Sequence, residues 1–246
     1  AKIGFDIPEP SEWAGRVGAV LDAIYAAYGA GWSDPLGVDA ERRGLSEEAI
    51  WLGRVLARQL PDEPEVLGLL ALMLHLDARK PARRDAEGRY IPLDEQDVSK
   101  WRRPEMDEAE RLLHAASKGN QIGRYQLEAA IQSAHAARAL AGAADWPAIV
   151  QLYGGLANLT GSPVAHLNAA AAIARGDGAE AGLDALARVI ERFPSLRDYQ
   201  PHWALRADLC AKLGRREDAH AAYDEAMARE NDPVVRAFLE GRRATL

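Results

Sequence analysis

The feature that most constrains the fold is a pattern of small and aromatic residues that recurs through the second half of the sequence. Its clearest copy places an aromatic residue, small residues, a glycine and a second aromatic residue at helical spacings: Trp203, Ala207, Gly214, Ala219, Tyr223 and Ala226. A second copy keeps the small positions: Ala165, Ala169, Gly176, Ala181 and Ala185. A weaker third copy runs from Gln132 through Ala148 to Leu152. Two helical stretches around a glycine turn, repeated in this way, predict helical hairpins that stack on one another.

The copies recur at close to the period of about 34 residues that is typical of tetratricopeptide repeats. We therefore expect residues 120–246 to form an α-solenoid of three hairpins. A last amphipathic helix, Pro233–Arg243, would cover the exposed end of the stack as a cap. Cys210 lies on an apolar helix face of this region and is expected in its core.

The first half of the chain has helical periodicity without a repeat. Apolar residues recur every three or four positions over Glu12–Tyr28, with Ser11 as the N-cap and an end at the glycine-rich turn Gly29–Gly31. A second helix is predicted over Ser46–Gln59, with Ser46 as its N-cap. A third, Pro64–Leu76, is apolar nearly all round, which predicts the most buried helix of the protein.

A long charged loop, residues 77–100, follows the third helix. Pro81 breaks the helix, Glu87–Gly88 favours a turn, and Tyr90–Leu93 favours extended chain. Loops of this length inside a compact domain are usually functional or disordered. We place the loop in a first helical subdomain, residues 1–119, which precedes a repeat subdomain, residues 120–246.

Composition agrees with an all-α protein, because alanine and leucine dominate the 48% of hydrophobic residues and valine or isoleucine runs are few. Thirty basic and 37 acidic residues give a net charge of −7, which disfavours direct nucleic-acid binding by this segment. A single cysteine and the lack of a long apolar run lead us to expect a cytoplasmic protein without a membrane span. Because the first residue is Ala1 and no signal-peptide pattern follows, we expect a segment of a longer protein.

Six short motifs stand in order along the chain: Ile3-Gly-Phe-Asp-Ile-Pro8, Pro61-Asp-Glu-Pro-Glu-Val-Leu-Gly-Leu-Leu-Ala-Leu-Met-Leu74, Asp77-x-Arg79-x-x-Ala82-Arg83, Leu93-x-Glu95-Gln96-Asp97-x-Ser99-x-Trp101, Tyr125-Gln-Leu-x-Ala-Ala-Ile131 and Ser162-Pro-Val-x-x-Leu-Asn168. Together they cover essentially the whole chain. In this order they resemble the C-terminal extension of a group of extracytoplasmic-function (ECF) RNA polymerase sigma factors.

In that family the extension follows two helical domains, regions two and four, that bind DNA and polymerase. The resemblance implies a non-enzymatic regulatory module in transcription initiation. Its implied partners are sigma regions two and four of the same polypeptide and core RNA polymerase, with no direct DNA or membrane contact by this segment. The chain has Gly29–Trp32 where the family usually has Asn-Glu-Gly-Tyr, and Val98 where it usually has Arg, so the contacts of those polar groups are not expected here.

The resemblance implies a role in sigma activity for Asp77, Arg79 and Arg83. A structural alternative has Arg79 and Arg83 form two-pronged ion pairs with Glu95 and Asp97, which would tie the loop to the helix end. The candidate residues for protein interaction or for such a loop network are Asp77, Arg79, Arg83, Glu95, Asp97 and Trp101.

The repeats also support a second hypothesis, a free-standing tetratricopeptide-like adaptor that grips a peptide in its groove. Its candidate groove residues are Tyr125, Gln126 and Asn168. Four further aromatic residues of the repeats are interpreted as packing residues rather than groove residues: Trp146, Tyr153, Trp203 and Tyr223.

A third hypothesis, an all-α hydrolase, would use His75 with Asp77 or Arg79. No nucleophile accompanies these residues, and the histidines lack the spacing of metal ligands. We therefore assign no catalytic residue, no cofactor and no metal site.

Overall fold

The computed structural model describes residues 13–32 and 44–246, and this part of the chain is helical, which confirms the all-α fold. The helices follow one another as α1 (Trp13–Trp32), α2 (Leu45–Gln59), α3 (Pro64–Ala78), α4 (Arg103–Ala116), α5 (Arg124–Ala136), α6 (Arg138–Ala141), α7 (Trp146–Thr160), α8 (Pro163–Gly176), α9 (Ala179–Arg192), α10 (Gln200–Lys212), α11 (Arg216–Ala228) and α12 (Pro233–Ala244). In the described ranges no helix has the length and apolar character needed to cross a bilayer.

The chain forms two compact units that do not follow chain order. The first unit contains the described residues through Asp77 together with Asp107–Ala129, and the second contains Ala78–Met106 together with Ala130–Leu246. The charged loop between α3 and α4, here called the connecting loop (residues 79–102), thus packs in the second unit, whereas the sequence groups it with the N-terminal helices. The reason is that its side chains find their partners on the repeat helices, which hydrophobic periodicity does not reveal.

The core of the first unit forms around α3, as predicted. Its side chains Leu69, Leu70, Leu72, Met73 and Leu74 are at most 2% exposed. They pack with buried residues of α1, α2, α4 and α5 in a single cluster. An apolar helix surrounded on several sides is the expected result of a sequence without a polar face.

Two motifs of the first unit fit together through Glu65. Its carboxylate accepts hydrogen bonds from the backbone N–H groups of Tyr125 (2.9 Å) and Gln126 (3.0 Å) in the first turn of α5. This is an N-cap supplied by another helix. One turn further along α3, a Cβ on Gly68 would lie only 2.7 Å from the backbone nitrogen of Gln126. The segments Pro61–Leu74 and Tyr125–Ile131 therefore pack directly against each other.

The ends of the first two helices differ from the prediction. Helix α1 continues through Gly29–Gly31 to Trp32, because Gly31 is the point where α2 approaches: a Cβ there would lie 2.5 Å from the backbone nitrogen of Ser46. Helix α2 begins at Leu45 with Gly44, at φ 81°, as its N-cap. The Ser46 hydroxyl donates to the Glu47 carboxylate (3.0 Å) instead of capping the helix. The predicted N-cap Ser11 lies outside the described residues.

Two of the predicted hairpins are confirmed in the second unit, α8 with α9 and α10 with α11. Ala207, Ala219 and Ala226 are fully buried where α10 crosses α11, as the repeat pattern requires. The weaker third copy corresponds to α5, a short α6 and α7, of which α7 packs on α8.

The predicted cap is also present, since α12 places Phe238 and Leu239 against the buried Tyr223 at the end of the stack.

Candidate functional site

The connecting loop is ordered by its own polar groups before it reaches the repeat helices. The Asp85 carboxylate accepts hydrogen bonds from the backbone N–H groups of Glu87 (3.1 Å) and Arg89 (2.8 Å), and Gly88 turns the chain at φ 80°. This confirms the turn predicted at Glu87–Gly88. Arg84 and Tyr90 then pair as an isolated antiparallel bridge.

The side chain of Arg138, at the start of α6, holds the loop segment Leu93–Gln96 by hydrogen bonds to the backbone of that segment. The guanidinium donates to the carbonyl oxygens of Asp94 (2.9 Å), Gln96 (3.2 Å) and Leu93. It also stacks over the indole of Trp101, with 5.1 Å between the guanidinium carbon and the ring centroid. One cation therefore binds three carbonyl groups of the loop, of which that of Leu93 also accepts the Gln96 N–H (3.3 Å) in the 3-10 turn Leu93–Glu95.

The acidic side chains of the same segment pair with arginines of two repeat helices. The Asp94 carboxylate forms an ion pair with Arg175 at the end of α8. The Glu95 carboxylate lies 3.7 Å from Arg242 of α12. Arg242 also lies 3.3 Å from Asp208 of α10, so charges from three helices meet beside the loop.

Apolar and further charged contacts extend the interface along α12. The rings of Tyr90 and Phe238 pack edge to face with their centroids 5.5 Å apart. Arg84 lies 3.9 Å from Asp232, which is itself the N-cap of α12. Burial raises the pKa of the Tyr90 hydroxyl above its usual value, while the charges of Arg83 and Arg79 act in the opposite direction.

The surface that α6, α8, α10 and α12 present to the connecting loop is here called the repeat face. Two clefts remain open beside the loop. A smaller one, about 180 Å³, lies between Asp94 and helices α7 and α8, and Asn168 lines it with His135 and Trp146. A larger one, about 480 Å³, separates Tyr90 and Pro92 of the loop from α10 and α12.

The structure places Asn168 where the adaptor hypothesis puts a groove residue, but the chain's own Asp94 stands beside it. Tyr125 and Gln126 do not line this groove. Both are buried in the first unit, where the Tyr125 hydroxyl donates to Asp22 (2.6 Å) and the Gln126 amide donates to the carbonyl of Gln121 (2.7 Å). Their place at the start of α5, against α3, makes them packing residues.

The predicted loop network has other partners than expected. Arg79 donates to the side-chain oxygen of Gln132 at 2.7 Å. Glu95 pairs with Arg242. The Asp97 carboxylate accepts hydrogen bonds from the backbone N–H (2.9 Å) and the hydroxyl (2.7 Å) of Ser99, and Asp97 is thereby the N-cap of a 3-10 turn. These hydrogen bonds lower the pKa of Asp97 below its usual value. Glu95 and Asp97 therefore do not form the predicted two-pronged ion pairs with Arg79 and Arg83.

Trp101 is 5% exposed and packs with the alanines at positions 78, 82 and 136. Asp77 is also buried, at the end of α3. His75 is 2% exposed, with its Nε2 atom 3.4 Å from the Glu110 carboxylate. Both side chains that the hydrolase hypothesis would use first, His75 and Asp77, are therefore buried.

Metal-binding chemistry gains no geometric support in residues 13–32 and 44–246, where no three histidine, cysteine or acidic side chains gather as ligands.

Sequence analysis did not identify Arg138, Arg175 and Arg242, the three cations that hold the loop. Arg175 and Arg242 stand in the last turns of their helices, where a basic residue is expected simply to offset the helix dipole. Arg138 stands among alanines without a motif. Their common partner becomes visible only when the connecting loop and the repeats are brought together.

Comparison with known proteins gives two similarities. Residues 16–117, which take in most of α1, all of α2 to α4 and the connecting loop, match the model of a protein family described as a family of unknown function (DUF6596). An uncharacterized protein of Rhizobium meliloti (strain 1021), R00370, is 36% identical to this chain over 239 residues. That alignment covers 97% of this chain and 56% of the relative, so the chain spans a little over half the length of the protein it matches.

Proposed function

We propose that this chain is the regulatory C-terminal extension of an ECF-type sigma factor and acts in transcription initiation through protein–protein contacts. Its partners would be sigma regions two and four of the same polypeptide and core RNA polymerase. The proposal assigns it no enzymatic role and a cytoplasmic location.

The observation that carries the proposal is the way in which the sigma-like motifs pair in space. The motif Pro61–Leu74 contacts the motif Tyr125–Ile131 through Glu65. The motif Leu93–Trp101 lies along the repeat helices, held by Arg138. Motifs distant in sequence that form the contacts of each unit support a common architecture with the family they resemble. The net charge of −7 further favours docking on basic domains such as those that bind promoter DNA.

Promoter-specific transcription tests the proposal. The polypeptide in which sigma regions two and four precede this chain would be reconstituted with core RNA polymerase and its cognate promoter. We expect Arg83→Ala to lower transcription severalfold, because the resemblance gives this residue a role in sigma activity. Arg83 suits the test better than Asp77, since replacing the buried Asp77 would alter folding.

Arg188→Ala is the matched control, since Arg188 is an exposed arginine on α9. It should leave transcription unchanged, and thermal unfolding should show both variants folded. Equal transcription from wild type and Arg83→Ala, or no binding of the chain to either sigma domains or core polymerase, would refute the assignment.

A further inference from the structure

We propose that the repeat face is a docking surface for an acidic polypeptide segment of a partner protein, and that residues 90–96 of the connecting loop occupy this surface in cis. The proposal is independent of the sigma-factor assignment, since it rests on how the loop is held.

The first argument is recognition of backbone carbonyl groups in a short turn. Arg138 donates to three carbonyl groups within four residues, those of Leu93, Asp94 and Gln96. Leu93–Glu95 form a 3-10 turn in which the Gln96 N–H group donates to the Leu93 carbonyl (3.3 Å), so Arg138 binds the carbonyl groups of this turn and of the residue that ends it. Contacts of this kind depend little on side-chain identity and would accept a segment from another protein equally well.

The second argument is selection by charge. Arg175 and Arg242 stand on different helices, and each receives one of two consecutive carboxylates, Asp94 and Glu95. Phe238 receives an aromatic ring, that of Tyr90, four positions earlier. A ligand with an aromatic residue followed by paired acids therefore fits the repeat face. The loop itself provides the template for this chemistry.

The third argument is that the loop can leave. The side chains of Arg175 and Asp94 are 44% and 29% exposed, and those of Arg242 and Glu95 are 44% and 57% exposed. Ion pairs this exposed are individually weak and are screened by salt. The cleft of about 480 Å³ between the loop and helices α10 and α12 gives a competing segment a place to enter.

A labelled peptide with the sequence of residues 88–98 is the probe, and its binding is followed by fluorescence anisotropy. In the wild-type chain the tethered loop has an effective concentration on the order of millimolar, so the free peptide should bind poorly. The double variant Asp94→Lys with Glu95→Lys repels both arginines and should release the loop. We expect it to bind the peptide about tenfold more tightly than wild type does, because the competent state is more populated.

Specificity is tested in the released background. A peptide with Asp94→Asn and Glu95→Gln should bind weakly, and adding Arg175→Ala to the protein should remove binding of the acidic peptide. Adding Arg188→Ala, on the outer surface of α9, should not. Circular dichroism checks that each variant is folded; if the double variant is not, Asp94→Asn alone provides a milder release and should still tighten binding.

Three outcomes would overturn the proposal. One is equal affinity of a folded released variant for the acidic and the neutral peptide, or no affinity for either. Another is displacement of the peptide by a single-stranded oligonucleotide at comparable concentration, which would assign the arginines to phosphates. The last is dimerisation of the wild-type chain through exchanged loops, which would make a second copy the occupant.

Discussion

Arg138 is the residue whose replacement most directly tests how the connecting loop is held. Arg138→Ala removes hydrogen bonds to three loop carbonyls and the stacking on Trp101. We expect the free energy of unfolding to fall by about 2 kcal/mol, measured by urea denaturation, since charge-assisted hydrogen bonds are the stronger kind. Amide hydrogen exchange should accelerate around Asp94. Arg138→Lys should recover little, because an ammonium cannot fork between several carbonyls; full recovery by lysine would contradict this account.

The second prediction for a single residue concerns His135 and the pH dependence of stability. Burial lowers the pKa of its imidazole from 6.5 to about 4, and the nearby charges of Arg79 and Arg138 lower it further, against a smaller opposing effect of Asp94. The unfolded chain therefore takes up a proton before the folded chain does as the pH falls. The stabilisation present above pH 6.5 should be lost between about 6.5 and 4, on the order of 2 kcal/mol. Urea denaturation across this range should show that the free energy of unfolding depends less steeply on pH in His135→Gln than in wild type. An unchanged pH dependence would show that another group is responsible.

What the sequence predicts residue by residue follows from local chemistry. The turn at Glu87–Gly88 and the burial of Cys210 are confirmed, because both depend on neighbours a few positions away. Asn168 lines a cleft with Asp94, and its role as a groove residue stays a prediction. The partners of Glu95 and the burial of Tyr125 depend on side chains far along the chain, and no local pattern encodes them.

Among the elements, α3 offers the sharpest test, because two glycines of similar helical setting differ in their surroundings. Gly68→Ala would bring a Cβ to 2.7 Å from the backbone of Gln126, which cannot rotate away. We expect a loss of about 1–3 kcal/mol in the free energy of unfolding. Gly18→Ala on α1 meets nothing within 4 Å and should gain about 0.5–1 kcal/mol through helix propensity. Chemical denaturation should show changes of opposite sign in the free energy of unfolding of the two variants. A gain in stability for both would mean that α3 and α5 are less closely packed.

At the same scale, helix positions were more predictable than helix ends. Periodicity located α2, α3 and α10 to α12 because each buries one face or all of its surface. The end of α1 differs from the prediction, because Gly31, which suggests a turn, instead allows α2 to approach closely. The short α6 has no periodicity to detect over four residues.

For the whole molecule, the chain order of the two units makes a prediction about fragments. The division at residue 120 suggested by the sequence would separate the repeats from residues 78–106, which belong to the same compact unit. A fragment of residues 120–246 should unfold several degrees below the corresponding transition of the intact chain. Adding a peptide of residues 78–106 should raise its melting temperature in a concentration-dependent way. A fragment that melts like the intact unit without this peptide would show that the connecting loop contributes nothing to the stability of the repeats.

The distance in sequence between Glu95 and Arg242 also determines when this ion pair can form during translation. Arg242 is synthesised about 150 residues after Glu95, which at about 5–20 residues per second is on the order of ten seconds. During this interval the first unit can complete itself, since its last residue is Ala129. The acidic segment meanwhile has Arg138 and then Arg175 as early partners, but not α12. Translation thus leaves the acidic segment of the nascent loop without its last partner, Arg242, for some seconds.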